Sequence, residues 1–268
     1  MKPHIKASTQ ELLLNGSTLT ISALFAAAND PAYQITPTPD SFARMAKNRT
    51  FAERINTRGD VVYGLSTGVG VRKRYSVQKD LMIQFQKRMV VETATGIGPS
   101  MNPIVIRAAA IVLLNTLCLG RSNVRPKIAK RIAARLCNGI QRPLRPIPMY
   151  GGMGVGDVTP LSHLTHDLIY LANGNGLATD SNQLPCSLAA GEALPLIAQS
   201  SVVTAFAAVA IYEARSLLKQ MNVLAALDIE GTHDIHLYIL YTTTTRVELL
   251  GVFVDSIPFL LSSFLYFC

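Results

Sequence analysis

From about residue 78 the apolar positions recur at helical spacing, and a series of helices follows from that pattern. Leu81, Ile83, Phe85, Met89 and Val90 carry apolar side chains through residues 78–95, and the run stops at Gly96-Ile97-Gly98-Pro99. Residues 103–119 are apolar through most of their length and end at Gly120. The third helix has both ends marked: Pro126 in the first turn, Ile128, Ile132 and Leu136 on one face, and Gly139 as the stop. Its opposite face is basic. A proline-punctuated link (RPLRPIP, 142–148) leads into the glycine-rich loop 151–156, and another helix starts near Pro160. The longest helix covers residues 200–227, about 40 Å of rise.

The ends of the chain have a different pattern. Residues 1–60 are mixed, with a β-branched stretch at 17–22 and a proline-interrupted loop at 35–40 (ITPTPD), which predicts a small N-terminal lobe. The helical region occupies 61–231. From 232 to 268 the character changes: YILYTTTT (238–245) is β-branched and aromatic, and the chain closes on the apolar FLLSSFLYFC. That tail reads as anomalous, and a break or frame shift near Gly231 is the expectation drawn from it.

Composition narrows the class. Hydrophobic residues make up 49% and charged ones 16%, against roughly 25% charged in an average domain, which excludes a disordered chain and a solvated coiled coil. The 25 Lys and Arg against 17 Asp and Glu leave +8, a charge that favours anionic partners without specifying one. Cys118, Cys137, Cys186 and Cys268 form no CxxC pair, so neither a zinc knuckle nor a disulfide framework is suggested. The first residues lack the apolar core of a secretory signal, and a cytoplasmic location follows. Residues 193–212 are uncharged and long enough to span a membrane, but Pro195, Gln199, Ser200, Ser201 and Thr204 favour a helix buried in a bundle, so no membrane is expected.

Chemistry enters at YGLSTGVG (63–70), a glycine-rich loop with neither Walker nor GxGxxG spacing. Tyr63 at its start is either a buried, hydrogen-bonded tyrosine or a general base. This loop resembles the YGxNTGFG loop of the aromatic amino acid ammonia-lyases, the group containing histidine and phenylalanine ammonia-lyase. The likeness continues in order. AAAIVLLNTLCLGRSNVRP (108–126) resembles that family's NTLxxGxSGVRP turn and the helix before it, GDVTPLSH (156–163) is similar to its GDLAPLxH, and residues 191–218 follow its long central helix.

The resemblance implies a mainly α fold: a small N-terminal lobe and the first half of a long helical bundle of the ammonia-lyase (fumarase/aspartase-like) type, packing as a homotetramer. It implies an elimination of ammonia from an amino acid, giving an arylacrylate. The electrophile is a methylidene-imidazolone, formed from an Ala-Ser-Gly tripeptide whose serine loses water, and Tyr63 matches the tyrosine that takes the β-proton.

Other positions depart from the family. The tripeptide falls on Gly154-Val155-Gly156, and no Ser, Thr or Cys stands between Met149 and Gly156. Valine has no β-oxygen to eliminate, so no cofactor is expected and the chain reads as inactive, a pseudoenzyme. The asparagine of the family's LINGTQ segment aligns with Ala198, and the histidine of the SHAAG-like segment with Thr93. Val69 and Ser66 replace the loop's phenylalanine and asparagine, with Gly70 closing the loop at the pocket, and the arginine that binds the substrate carboxylate would lie beyond Cys268.

The remaining candidates have plainer readings. Glu92 reads as a solvated or paired helix carboxylate, and His163 and His166, three apart, lack further ligands and read as structural, so no metal is assigned. Arg121, Arg125, Lys127, Lys130, Arg131, Arg135, Arg142 and Arg145 form a basic cluster without interleaved aromatics, which favours a solvated face over nucleic-acid binding. Three functions stand: a lyase relative without its prosthetic group that takes an amino acid or other small molecule, either as a pseudoenzyme or by different chemistry in the same pocket with Tyr63; a non-catalytic subunit of a homo-oligomer or lyase-like partner; and nucleic-acid binding through the basic surface.

Overall fold

The computed structural model describes residues 10–152, 154, 156–171 and 187–232, with 229–232 described by backbone alone. The chain divides into two compact units, Met1–Ala205 and Phe206–Cys268. As the sequence predicts, the described residues are mainly helical.

The first unit opens with β1 (Glu11–Leu14), α1 (Ile21–Asn29) and β2 (Gln34–Pro37), and the two strands pair in parallel from Glu11 opposite Gln34 to Leu14 opposite Pro37. Parallel neighbours need a crossover, which α1 supplies. The β-branched stretch at 17–22 leads into α1. Thr20 and Ile21 form the helix start, where the Thr20 hydroxyl accepts from Ala23 N–H at 3.2 Å. The proline-interrupted loop at 35–40 is corrected. Its first half is β2, and its second begins the 20-residue helix α2 (Pro39–Arg58), because Pro39 suits a first helical turn as well as a loop.

α3 (Met82–Glu92) is shorter than the predicted helix, entered through a tight turn at Lys79–Leu81, and its buried face keeps Met89 and Val90 but not the predicted N-terminal positions. Met82, Gln86, Met89 and Val90 are buried, whereas Leu81 and Ile83 are exposed. A polar Gln86 on the buried stripe hid the register from a hydrophobic count. β3 (Ile97–Ser100) then pairs antiparallel with β4 (Pro148–Tyr150) across an irregular register.

α4 (Pro103–Cys118) and α5 (Pro126–Cys137) have the predicted extents to within a residue or two, since their ends are written as local proline and glycine signals. α4 is buried nearly all round, the mark of a core helix. Even Arg107 lies inside: its guanidinium donates to the carbonyls of Ala27 at 2.9 Å, Leu136 at 2.8 Å and Tyr33 at 3.4 Å. One side chain thereby ties residues of the first sixty to α4 and α5.

α6 (Val158–Thr165) runs into a five-residue π turn, His166–Tyr170. Beyond the glycine loop and α6 the fold places α7 (Leu194–Ile197), a break at Ala198, and α8 (Ser201–Thr232). Ala193–Asp228 is long and apolar enough to cross a membrane by length and composition alone. α8 continues into the second unit, where Leu217, Met221 and Leu224 share one exposed face. The tail segments at 238–245 and 256–268 lie outside the described residues.

Candidate functional site

The tyrosine loop begins where Gly59, at φ +83°, ends α2. The N–H groups of Leu65, Ser66 and Thr67 all point at the Val62 carbonyl, at 3.1, 3.0 and 3.3 Å, and wind residues 62–67 into one tight turn. Ser66, at the family's asparagine position, closes this turn: its hydroxyl donates to the Asp60 carbonyl at 2.9 Å and accepts Val62 N–H at 2.8 Å. The chain then doubles back, with Gly68 N–H on the Tyr75 carbonyl at 3.0 Å and Val77 N–H on that of Ser66 at 2.9 Å. Tyr63 is half exposed, and its phenol oxygen accepts Gly70 N–H at 2.9 Å. Two of the predicted site residues are therefore direct partners.

Thr93 follows α3, and its hydroxyl lies 2.6 Å from both the Met89 carbonyl and the Ser162 hydroxyl on α6. It is engaged within the protein. Next to it, Gly96 N–H donates to His163 Nε2 at 3.1 Å, so the neutral ring carries its proton on Nδ1. Burial, then the charge of nearby His166, holds the His163 imidazole below its ordinary range. His166 is lowered by burial, then Arg145 and Lys87, with Asp167 opposing. The His163 ring is thus engaged within the protein.

The glycine loop places Gly154 (φ +78°) and Gly156 (φ +64°) in left-handed backbone, while Val155 lies outside the described residues. Gly156 sits beside the Ala198 segment: a Cβ built on it would stand 3.5 Å from Gln199 O and 3.8 Å from the Ala198 carbonyl carbon. Asp157 makes the join. Its N–H donates to the Gln199 carbonyl at 2.9 Å, and its carboxylate accepts Val202 and Val203 N–H at 2.8 and 2.9 Å. The first-turn donors of α8 are thus satisfied by a residue 45 positions earlier. Burial raises the Asp157 pKa, opposed by the N–H groups of Val203 and Val202. The predicted site residues fall into three groups: Tyr63 with Gly70, Thr93 with Ser162, and Gly156 with Ala198.

Three structural links were missed by reading the sequence. Gln86, fully buried, donates to the Gly64 carbonyl at 3.3 Å and accepts Ala193 N–H at 3.0 Å. Glu192, also fully buried, holds Arg125 at 2.6 Å and accepts Ala189 N–H at 2.6 Å. Arg135 pairs with Asp167 at 3.1 Å. This corrects the solvated basic face, since Arg135 is buried and Arg125 serves an ion pair, whereas Lys127 and Lys130 are exposed. The partner carboxylates come from segments far along the chain. The sole signal for Gln86 was a polar residue at apolar spacing. Glu92 pairs with Arg88 at 2.7 Å, both exposed.

A cavity of about 360 Å³ is lined by Asp80, Lys87, Tyr170 and Leu188 among others, and it includes none of the predicted site residues. Among the described residues no group of three His, Cys, Asp or Glu side chains could hold a metal.

Comparisons with known proteins identify the family and the fold. A family profile described as aromatic amino acid lyase matches residues 19–234. The histidine ammonia-lyase of Alkaliphilus metalliredigens (strain QYMF) is 30% identical over 240 residues, which cover 84% of this chain and 46% of that protein. The tyrosine aminomutase of Streptomyces globisporus, 29% identical, superposes with a TM-score of 0.70 over 82% of this chain and 42% of its own. Histidine ammonia-lyase from Trypanosoma cruzi, 24% identical, shares the fold with a TM-score of 0.71, covering 82% and 44%. The chain spans about half the length of the curated relatives it matches.

Proposed function

This chain belongs to the aromatic amino acid lyase family, and on that premise we propose that it is a divergent, histidine ammonia-lyase-like protein that has lost the elimination chemistry. One observation carries the reading. By its resemblance to the family, the tripeptide that must supply a β-oxygen falls on Gly154-Val155-Gly156, directly before Asp157, and valine has none. The residues do not fit the family's methylidene-imidazolone: valine cannot be dehydrated, Ala198 offers a methyl group where the family has an amide, and the Thr93 hydroxyl is engaged with Ser162. No catalytic step is therefore assigned to Tyr63. What remains is binding of an amino acid or a similar small molecule beside the tyrosine loop, in a cytoplasmic homo-oligomer.

The test is ammonia release by the full chain from L-histidine, L-phenylalanine and L-tyrosine, with calorimetric binding of the same three. Binding without ammonia is the expected result. Turnover abolished by borohydride would reveal an electrophile and sink the argument from Val155.

A second reading, a non-catalytic scaffold or binding subunit of a lyase-like oligomer, is favoured by the exposed face of Leu217, Met221 and Leu224 on α8. Co-purification with a longer homologue, seen as a change in oligomer mass by light scattering, supports it. An unchanged oligomer mass when the chain is mixed with a longer homologue excludes it.

A further inference from the structure

We infer that Gln86 is a positioning residue whose side-chain amide locks the tyrosine loop to the segment ending at Ala198, so that the two move as one unit. The inference rests on the small-molecule reading above for its consequence, though not for its geometry. Gln86 is 0% exposed, its Nε2 donates to the Gly64 carbonyl at 3.3 Å, and its Oε1 accepts Ala193 N–H at 3.0 Å. The amide orientation is set by these partners, because a carbonyl only accepts and an N–H only donates.

One end of the bridge adjoins Tyr63 and the other opens the short helix that Ala198 closes. Gly64 follows Tyr63, and its left-handed backbone (φ +72°) lies so near α7 that a Cβ there would meet Leu194 Cδ2 at 2.8 Å. Ala193 precedes α7, whose end is Ala198, closed by Ala198 N–H on the Leu194 carbonyl at 2.8 Å. A shift of the tyrosine loop must therefore break a buried hydrogen bond or carry α7 with it. Both anchors are main-chain groups, one acceptor and one donor, so the bridging side chain must donate and accept at once. A neutral amide does so, an ionised carboxylate only accepts, and an aliphatic chain does neither.

The requirement distinguishes positioning from mere packing. Gln86→Glu keeps the shape, yet as a carboxylate it cannot donate to Gly64 and faces that carbonyl with a negative charge. Protonated, it donates again. Gln86→Met keeps the length and loses both bonds at any pH. Ionisable residues beside Gln86 and its two anchors are Lys87 and Arg88 on α3, Tyr63 beside Gly64, and Glu192 beside Ala193 with its partner Arg125. The wild-type profile carries all of them and serves as the reference.

Hydrogen exchange of the full chain, followed by mass spectrometry over residues 62–70 and 190–198 between about pH 5 and pH 8, tests this. Gln86→Met is expected to speed exchange of both segments together by about tenfold to a hundredfold. Gln86→Glu is expected to do so at the upper pH and to recover wild-type protection at the lower. Gln86→Glu exchanging like wild type at the upper pH, or a response in one segment alone, overturns the inference. If Gln86→Met fails to fold, the pH-dependent recovery of Gln86→Glu still decides. Calorimetry with L-phenylalanine and L-histidine separates the two readings. Absence of binding to wild type removes the small-molecule reading and leaves the coupling standing, whereas equal binding by wild type and by Gln86→Glu at the upper pH removes the positioning role.

Discussion

Replacing Glu192 by alanine is expected to cost far more stability than any exposed charge in this chain. Its carboxylate is 0% exposed and receives four hydrogen bonds: Arg125 N–H at 2.9 Å, Arg125 Nε at 2.7 Å, Arg125 Nη2 at 2.6 Å and Ala189 N–H at 2.6 Å. Alanine leaves two main-chain donors and a guanidinium that is 23% exposed without that acceptor. Breaking a buried pair costs about 3–5 kcal/mol, and about 4 kcal/mol lowers the melting temperature of a chain this size by about 8–16 °C. Glu92→Ala is the internal control. Its pair with Arg88 has side-chain exposures of 62% and 58% and should contribute under about 0.5 kcal/mol. Urea unfolding followed by circular dichroism, with the cycle Glu192→Ala, Arg125→Ala and both together, measures the coupling. A Glu192→Ala loss below about 1 kcal/mol, equal to the exposed control, would refute the reasoning.

Acidification should weaken the fold through His163. Its folded pKa lies below the ordinary value near 6.5, so between the two the unfolded chain binds more protons and stability falls as pH drops through that window. His166 shifts the same way, and urea midpoints from about pH 7.5 to 5.5 should show a flatter slope for His163→Gln than for wild type. Equal slopes would remove His163 from the account. Gly98→Ala should destabilise by about 3 kcal/mol, because φ is +90° and the new Cβ would overlap the Tyr150 ring; calorimetric melting checks it, and a neutral result contradicts that packing. Asp157→Ala should cost about 2 kcal/mol and expose the Val202 and Val203 amides to exchange, whereas unchanged exchange there would show that another group caps α8.

Much of the helical layout is legible along the chain because its signals are local. Pro103 and Pro126 open α4 and α5, Gly120 and Gly139 follow their ends, and periodicity predicts α8 nearly from its first residue. Val155 is local information too: a residue without a β-oxygen cannot be dehydrated in any fold. The parallel pairing of β1 with β2 is different, since four-residue strands acquire partners only once α1 has crossed between them. So is the fate of polar side chains. Gln86, Arg135 and Glu192 look like surface residues in a linear reading, and each becomes buried only because a partner arrives from 22 to 107 residues away. Backbone propensity and hydrophobic period act over a few residues and survive translation into sequence. The satisfaction of a buried charge or amide depends on which distant atoms meet it, and that is decided by the tertiary structure alone.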